Sequence, residues 1–442
     1  MEEELLEEIE SSTKVTPYVQ ETEDYLVSIN FESSPIVDIV NEMILDAIDR
    51  GASDIHFDPF EDGIKVRIRI DGDLHNYALV PLSMKKNLIT RIKIISNLNI
   101  TESRLPQDGS IKGLIDSVDV DLRVSSLPTS LGEKLVIRIL DYSLSSEGLD
   151  HLGFSRENYE MINKMLKLNN GMILVTGATG SGKSTTVYAM LQKLNTESRN
   201  IVTVEDPIEM NIDGINQVLV NSDIGMTFQN ALRSILRQDP DVVMIGEIRD
   251  VETAKIAVRA SITGHLVLST LHTNDSLNTI ERLIDMNVER YLLSSSLSGI
   301  ISQKLARKLC PKCKKLRLAT ASEKEVFKKV LKLDINGIYE PCGCDECSGG
   351  YKGRIPIHEV LFLDQAIKDD ITNNVPKQEL KRKVFNEHTV NSTMLEDGLK
   401  KVLQGDTSFD EIIKIIEIDD DTLSFYDITK EETIKELETF HI

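Results

Sequence analysis

Nine consecutive residues have the types and spacing to bind a phosphate chain: Gly177, Ala178, Thr179, Gly180, Ser181, Gly182, Lys183, Ser184 and Thr185. Glycines permit positive φ angles and let backbone N–H groups approach an anion closely. Lys183 can then reach the β- and γ-phosphates of a nucleotide, and Ser184 can offer its hydroxyl to Mg²⁺. The residue types therefore predict a site for ATP and Mg²⁺.

The residues on either side supply the strand and the helix that must position this loop. An apolar run at 172–176 precedes it, and a good helix former at 186–191 follows it. The start of a helix adds unsatisfied N–H groups and a partial positive charge at the same place. A glycine-rich turn that binds no nucleotide is the alternative, and the complete strand–turn–helix context argues against it.

Acidic residues follow two further apolar runs. Glu205 follows the run at 201–204, and Glu247 follows the run at 242–245. The carboxyl ends of strands are where α/β folds bind ligands, and carboxylates there can hold Mg²⁺ or orient an attacking water. Exposed acids at strand ends are the ordinary alternative. The sequence does not choose between the two glutamates, although we favour Glu247 as the acid nearest the metal and water.

A histidine lies beyond a fourth apolar run. His272 follows the run at 266–269 and could sense or stabilise the γ-phosphate, although a lone histidine in a loop is more often structural. The four apolar runs, at 172–175, 201–204, 242–245 and 266–269, are separated by helical stretches. This alternation predicts an α/β fold with a mostly parallel sheet wrapped by helices.

Residues 33–142 predict a separate, small α+β domain. Apolar spacing indicates helices at 36–48 and 84–98, and alternation indicates strands at 64–70, 118–124 and 135–140. These strands carry arginines on their polar faces: Arg67, Arg69, Arg123 and Arg138. Such arginines usually mark a solvated face. The alternative is that some reach a nucleotide held by the next domain, because a guanidinium grips phosphate oxygens well.

Composition limits the class of protein. The 442 residues leave room for two or three domains, and no apolar run approaches the roughly 18 residues of a membrane span. The start of the chain lacks the features of a signal peptide, so we expect a cytoplasmic protein. Residues 1–24 and 406–442 carry −17 of the net charge of −22, which predicts acidic ends around a nearly neutral body. Nothing resembles the basic footprint of a nucleic-acid binder, so no nucleic-acid partner is expected.

Four cysteines form two C-x-x-C pairs, Cys310 with Cys313 and Cys344 with Cys347, separated by 30 residues. Such pairs suit tetrahedral Zn²⁺ held by four thiolates. The gap is longer than usual, so the residues between the pairs must form an excursion of their own. Disulfides are disfavoured in a reducing cytosol, and Cys342 is a fifth thiol that needs no role.

The order of these motifs resembles the secretion ATPases of type II secretion and type IV pilus assembly. The resemblance rests on the phosphate loop, 204–209, 237–241 with 246–250, and the box containing His265 and His272. Segments at 52–56, 104–109, 123–129 and 132–134 resemble the same family, and the match covers roughly residues 34–405.

That resemblance implies a RecA-like ATPase acting as a hexameric ring, with Arg123 and Arg138 approaching the γ-phosphate when two domains close. It implies an inner-membrane platform protein and pilin or pseudopilin machinery as partners, at the cytoplasmic face of the membrane. It also places a zinc-binding element at 310–347, which retraction-type members usually lack. The domains expected are an acidic leader (1–32), the small domain (33–142), a linker (143–156), the ATPase domain (157–405, with helices at 357–404) and an acidic tail (406–442).

Three other functions compete with an assembly motor. A retraction or DNA-uptake motor would use the same nucleotide-binding motifs, and the sequence does not decide between a pilus, a secretion system and a DNA-uptake machine. A nucleic-acid translocase also uses phosphate loops in rings, but the nearly neutral body argues against it. A nucleotide-binding switch without turnover would not need Glu205 and Glu247.

Overall fold

The computed structural model describes residues 25–27, 34–140, 148–387, 391–418 and 420–427. The chain divides into two compact units, Met1–Asp141 and Tyr142–Ile442. Most of the predicted leader lies outside the described residues, as do linker residues 143–147 and tail residues 428–442. Among the described residues, no helix has both the length and the apolar character needed to cross a bilayer.

The first unit is an antiparallel sheet covered by helices. Its elements are α1 (Ile36–Asp49), β1 (Ala52–Phe60), β2 (Gly63–Ile70), β3 (Asp73–Pro81), α2 (Leu82–Ile95), β4 (Gln107–Ile115), β5 (Val118–Thr129) and β6 (Gly132–Ile139). The six strands are ordered β3-β2-β1-β6-β5-β4, and neighbouring strands are antiparallel. The predicted small α+β domain is confirmed.

Strict alternation gives this sheet one apolar face and one polar face. In β2, Ile64, Val66 and Ile68 are fully buried and pack in the core with α1 and α2. The residues between them point to the opposite face because successive side chains of a strand alternate. That polar face carries the arginines noted in the sequence.

The second unit contains the predicted parallel sheet. Its elements up to the last strand of that sheet are α3 (Arg156–Leu166), β7 (Gly171–Thr176), α4 (Lys183–Leu194), β8 (Ile201–Glu205), β9 (Asn216–Leu219), α5 (Phe228–Ile235), β10 (Val242–Ile245), α6 (Val251–Ile262), β11 (Leu266–Leu271), α7 (Ser276–Asp285), α8 (Arg290–Ser296), β12 (Leu297–Leu309), β13 (Lys315–Leu318), α9 (Ala321–Val330), β14 (Gly337–Glu340) and β15 (Tyr351–Phe362). The sheet order is β15-β12-β7-β11-β10-β8-β9. Neighbouring strands are parallel except β12 and β15, so the fold class is confirmed.

The strand order brings the functional loops to one edge of the sheet. The strand before the phosphate loop, β7, lies between β11 and β12, with β10 and β8 beyond β11. Every residue of β7, β8, β10 and β11 is buried, because helices cover both faces of a parallel sheet. The carboxyl ends of these strands therefore place Gly177, Glu205, Glu247 and His272 at the same edge.

Two expectations for the C-terminal part need correction. Residues 357–362 were expected to be helical but form the end of β15, which is almost continuously buried against β12. A short apolar run of this kind fits a buried strand as well as a buried helix. The remaining elements are α10 (Gln365–Thr372), α11 (Lys377–Arg382), a π-helical turn (Lys383–Glu387), α12 (Met394–Gln404), α13 (Phe409–Ile415) and α14 (Asp420–Asp427).

The second correction concerns the acidic tail. Phe409 and Ile412 of α13 and Tyr426 of α14 are buried in a core shared with Phe327 and Leu399. The tail's acids are therefore interrupted by apolar residues that pack. Residues 409–418 and 420–426 therefore belong to the body of the second unit.

Candidate functional site

The phosphate loop connects β7 to α4 in the conformation that its glycines allow. Gly182 has a φ of 85°, in the left-handed region, and directly precedes the first residue of α4. At Gly177, a Cβ atom would lie 2.4 Å from the carbonyl oxygen of Gln303 and 2.5 Å from Ser181 Oγ. A side chain at Gly177 would therefore displace backbone, which explains why this loop needs glycine at that position.

Lys183 lies across the loop at the start of α4. Its Nζ donates hydrogen bonds to the carbonyl oxygens of Gly177 and Ala178, each at 2.9 Å. Burial lowers the pKa of this ammonium group, and the negative charge of Glu247 opposes that shift. The side chain is thus held where the loop would receive a phosphate chain, next to a carboxylate.

Glu247 is the acid that faces this lysine. It follows β10 and remains partly exposed, with Arg249 Nη2 in contact with one carboxylate oxygen. His272 Nε2 lies 3.6 Å from the other oxygen. The hydrogen bond to Glu247 raises the pKa of Arg249. Lys183, Arg249 and His272 therefore form one cluster around the Glu247 carboxylate.

His272 is neutral in this cluster near pH 7. Burial lowers its pKa below the ordinary value of 6.5, the charge of Lys183 lowers it further, and Glu247 opposes both effects. A neutral imidazole carries one N–H donor and one acceptor nitrogen. The side chain is about half exposed and can contact a bound group without adding a charge.

Glu205 lies in a different environment. It is 3% exposed and accepts hydrogen bonds from Thr203 Oγ1 at 2.5 Å, from Gln217 Nε2 at 3.1 Å and from the hydroxyl of Tyr188. The Tyr188 oxygen in turn accepts from the backbone N–H of Glu209 at 3.0 Å. The Glu205 carboxylate is therefore used in a buried network, whereas Glu247 remains accessible.

Sequence reasoning missed Gln303 of β12, which forms a hydrogen bond to the phosphate loop. This β12 residue is 1% exposed; its Nε2 donates to the Ser181 carbonyl at 2.6 Å, and its Oε1 accepts from Thr186 Oγ1 at 2.9 Å. One signal was available in the sequence, because Ser302 and Gln303 are polar residues that directly follow the apolar pair Ile300 and Ile301. Arg249 was also missed, although it follows Glu247 closely.

In the first unit, Arg123 and Arg138 lie directly opposite each other. They are cross-strand partners in the register of β5 and β6, and both point to the polar face of the sheet. Arg138 Nε donates a 3.0 Å hydrogen bond to Asp54 Oδ1. The register therefore places the two predicted arginines side by side.

The four predicted zinc ligands form one cluster. The sulfur atoms of Cys310, Cys313, Cys344 and Cys347 all lie within 4.8 Å of one another, and three of the separations are 3.9, 3.7 and 3.5 Å. Tetrahedral zinc with bonds of about 2.3 Å places its sulfurs about 3.8 Å apart. The donor set and its geometry therefore fit zinc. Cys342 is exposed and lies outside the cluster, and β13, α9 and β14 form the excursion between the pairs.

Residues 30–414 match the profile of the family described as type II/IV secretion system protein. This chain belongs to that family. The secretion-family chain is 45% identical over 385 residues to the type II secretion system ATPase E of Vibrio cholerae, covering 87% of this chain and 76% of that protein. It is 44% identical over 401 residues to the type IV pilus assembly ATPase PilB of Pseudomonas aeruginosa, covering 88% and 69%.

A solved structure agrees with this assignment. The pilus retraction motor PilT with bound ADP superposes with a TM-score of 0.59 at 28% identity, covering 86% of this chain and 98% of that one. The resemblance inferred from the motifs is therefore confirmed. ATPase activity in the relatives implies that this secretion-family protein is also an ATPase and uses nucleotide with Mg²⁺.

Proposed function

We propose that this protein hydrolyses ATP to ADP and phosphate and uses the reaction to drive assembly of a type IV pilus or a type II secretion pseudopilus. The observation that carries the proposal is the cluster of Lys183, Glu247 and His272 at the phosphate loop. It combines a phosphate-binding cation, an accessible carboxylate and a neutral imidazole in a chain whose relatives are secretion and pilus-assembly ATPases.

Each loop residue has a role in this proposal. The N–H groups of 177–185 bind the phosphates, and Lys183 neutralises charge on the β- and γ-phosphates. The Ser184 hydroxyl holds Mg²⁺, which supplies electrostatic stabilisation of the transferring phosphoryl group. Glu247 orients or deprotonates the attacking water, because its carboxylate is accessible. Glu205, the second candidate, acts through the buried network that supports this edge of the sheet.

The first unit supplies the arginines. Arg123 and Arg138 contact the γ-phosphate when ATP is bound, and hydrolysis releases them. Arginines of this kind typically contribute a factor of about 10³–10⁵ to phosphoryl transfer. The resulting motion is the mechanical output, passed through a hexameric ring to an inner-membrane platform protein at the cytoplasmic face. The cysteine cluster supports assembly over retraction, because its four thiolates could hold zinc and so resemble the zinc element of assembly-type members.

Phosphate release from Mg²⁺-ATP by the full chain tests the proposal. We expect Glu247→Gln to lower kcat by about 10²–10⁴, the range for loss of a general base, with ATP binding retained. Glu252→Gln is the matched control: Glu252 is an exposed acid five residues away that contacts Arg233, and kcat should stay within about twofold. Turnover of Glu247→Gln at the wild-type rate would contradict the assigned role, and an absence of turnover in the wild-type oligomer would favour a nucleotide switch.

The arginine role needs its own comparison. Arg138→Ala should lower kcat by about 10³ or more if this side chain contacts the transferring phosphate. Arg67→Ala is the control, because Arg67 lies on the same polar face but contacts Asp58. Equal turnover of the two variants would refute the role of Arg138 without affecting that of Glu247.

A further inference from the structure

One buried carboxylate lies between two arginines on the polar face of the first unit. Asp54 of β1 is the cross-strand partner of Arg138 on one side and of Arg69 on the other. Its Oδ1 accepts from Arg138 Nε at 3.0 Å, and its Oδ2 lies 3.8 Å from Arg69 Nε. Asp54 is 7% exposed, whereas the Arg138 side chain is 58% exposed.

The contact between Arg138 and Asp54 leaves the terminal Nη groups of Arg138 available to bind another group. The described contact uses Nε alone, and among the described residues the structure records no partner for either terminal Nη group. A guanidinium has five N–H donors, so the Nη groups can still form a bidentate contact with a phosphate. The carboxylate is itself fixed, because Ser53 Oγ donates to Asp54 Oδ2 at 2.8 Å.

Arg69 depends less on this carboxylate. Its Nη1 donates to the Gly72 carbonyl at 2.6 Å, which holds the side chain at the turn after β2. Its distance to Asp54 is also longer than a hydrogen bond. Loss of the Asp54 carboxylate would therefore release Arg138 more than Arg69, and a free arginine side chain samples many rotamers.

We propose that Asp54 is a positioning residue for ATP hydrolysis. It fixes Arg138 through Nε so that the terminal Nη groups meet the transferring phosphate in one geometry. This inference rests on the proposed role of Arg138, and Asp54 itself touches no reacting atom.

The same strand provides a matched control. Asp58 lies four residues from Asp54 on the same face and is also 7% exposed. It pairs with Arg67 Nη2 at 2.7 Å and with Lys134, and it makes no recorded contact with Arg138. Removing Asp58 therefore breaks a similar ion pair in the same sheet without freeing the proposed phosphate ligand.

The experiment measures kcat, KM for ATP and the melting temperature of the full chain for Asp54→Ala, Asp54→Asn, Asp58→Ala and Arg138→Ala. We expect Asp54→Ala to lower kcat by about 10–100-fold, the usual effect of a misplaced group, with a smaller change in KM. Asp54→Asn should recover part of this loss, because its amide oxygen can still accept from Nε. Asp58→Ala should stay within about twofold in kcat.

The double variant Asp54→Ala/Arg138→Ala separates positioning from a general structural effect. If Asp54 acts through Arg138, the double variant should be no slower than Arg138→Ala. A double variant whose loss in kcat is the product of the two single losses would overturn the inference. A kcat of Asp54→Ala within twofold of wild type, while Arg138→Ala is slow, would also overturn it. Should Asp54→Ala fail to fold, the same criteria apply to Asp54→Asn. Wild-type turnover of Arg138→Ala would instead overturn the proposed arginine role.

Discussion

Replacing Gln303 by leucine should lower both stability and ATP affinity, although Gln303 itself lies outside the loop at 177–185 that is proposed to bind nucleotide. Leucine has a similar volume but cannot hydrogen bond, so the Ser181 carbonyl and the Thr186 hydroxyl both lose their partner. The side chain is buried, and water cannot simply take its place. The change therefore isolates the contribution of β12 to the shape of the loop.

The magnitude follows from these two contacts. A buried carbonyl left without a donor costs about 1–3 kcal/mol. The Thr186 hydroxyl recovers part of its loss, because a threonine inside a helix can donate to the carbonyl four residues earlier. We expect the free energy of unfolding to fall by about 2–4 kcal/mol in total. Rotation of the Ser181 peptide toward another donor would also weaken ATP binding, by about tenfold or 1.4 kcal/mol.

Two measurements check this prediction. Urea unfolding followed by circular dichroism reports the free energy of unfolding, and titration with a fluorescent ATP analogue reports affinity. Ser269→Ala is the matched control: Ser269 Oγ donates to the Ile245 carbonyl at 2.8 Å, so its hydrogen bond joins β11 to β10 and does not hold the phosphate loop. The control should be destabilised while its ATP affinity stays within about twofold.

The outcome that would refute this reasoning is specific. If Gln303→Leu binds the ATP analogue as tightly as wild type, the loop does not depend on β12 for its shape. Equal loss of affinity in Gln303→Leu and Ser269→Ala would also contradict it, because the effect would then reflect general destabilisation.

Two further predictions concern acid stability and zinc. His358 is fully buried against Phe154, and burial holds its pKa well below the ordinary value of 6.5. The unfolded chain therefore binds a proton that the folded chain does not, so stability is fully present above pH 6.5 and falls by up to about 1.4 kcal/mol per pH unit below it. His358→Phe should remove about 1.3 kcal/mol of the stability lost between pH 7.0 and 5.5 in urea unfolding, and an unchanged loss would contradict the assignment. For zinc, Cys313→Ser should lose the metal, measured by elemental analysis. Cys342→Ser should keep about one ion per chain, since Cys342 lies outside the cluster. Equal loss of zinc in both variants would exclude the four-thiolate site.

Much of the chemistry was determined by the sequence alone. A loop that binds phosphate needs glycines, a lysine and a hydroxyl at fixed spacing within a few residues. The spacing at 177–185 therefore predicts the site without a structure. The two C-x-x-C pairs could also be recognised from local spacing, because each places two sulfurs within reach of one ion. The parallel sheet was also predicted from local patterns, because apolar runs separated by helical stretches are typical of strands joined by helices.

Apolar periodicity predicted secondary structure less well where a segment is buried on all sides or where acidic residues interrupt the apolar spacing. The strand at 357–362 was expected to be helical, because an apolar run that is buried on all sides lacks the alternation of a strand. Residues 409–426 were expected to form a tail, because the acids hid the spacing of Phe409, Ile412 and Tyr426. Packing in the second unit's core explains both differences.

The tertiary structure alone distinguished Glu205 from Glu247. Both follow apolar strands, but the hydroxyl of Tyr188 and the amide of Gln217 close around Glu205, while Glu247 stays open beside Lys183. Likewise, Gln303 reaches the loop from β12, and Asp54 meets Arg138 through the pairing of β1 with β6. Hydrogen bonds between residues distant in the chain depend on strand order and register, and local sequence patterns do not encode either one.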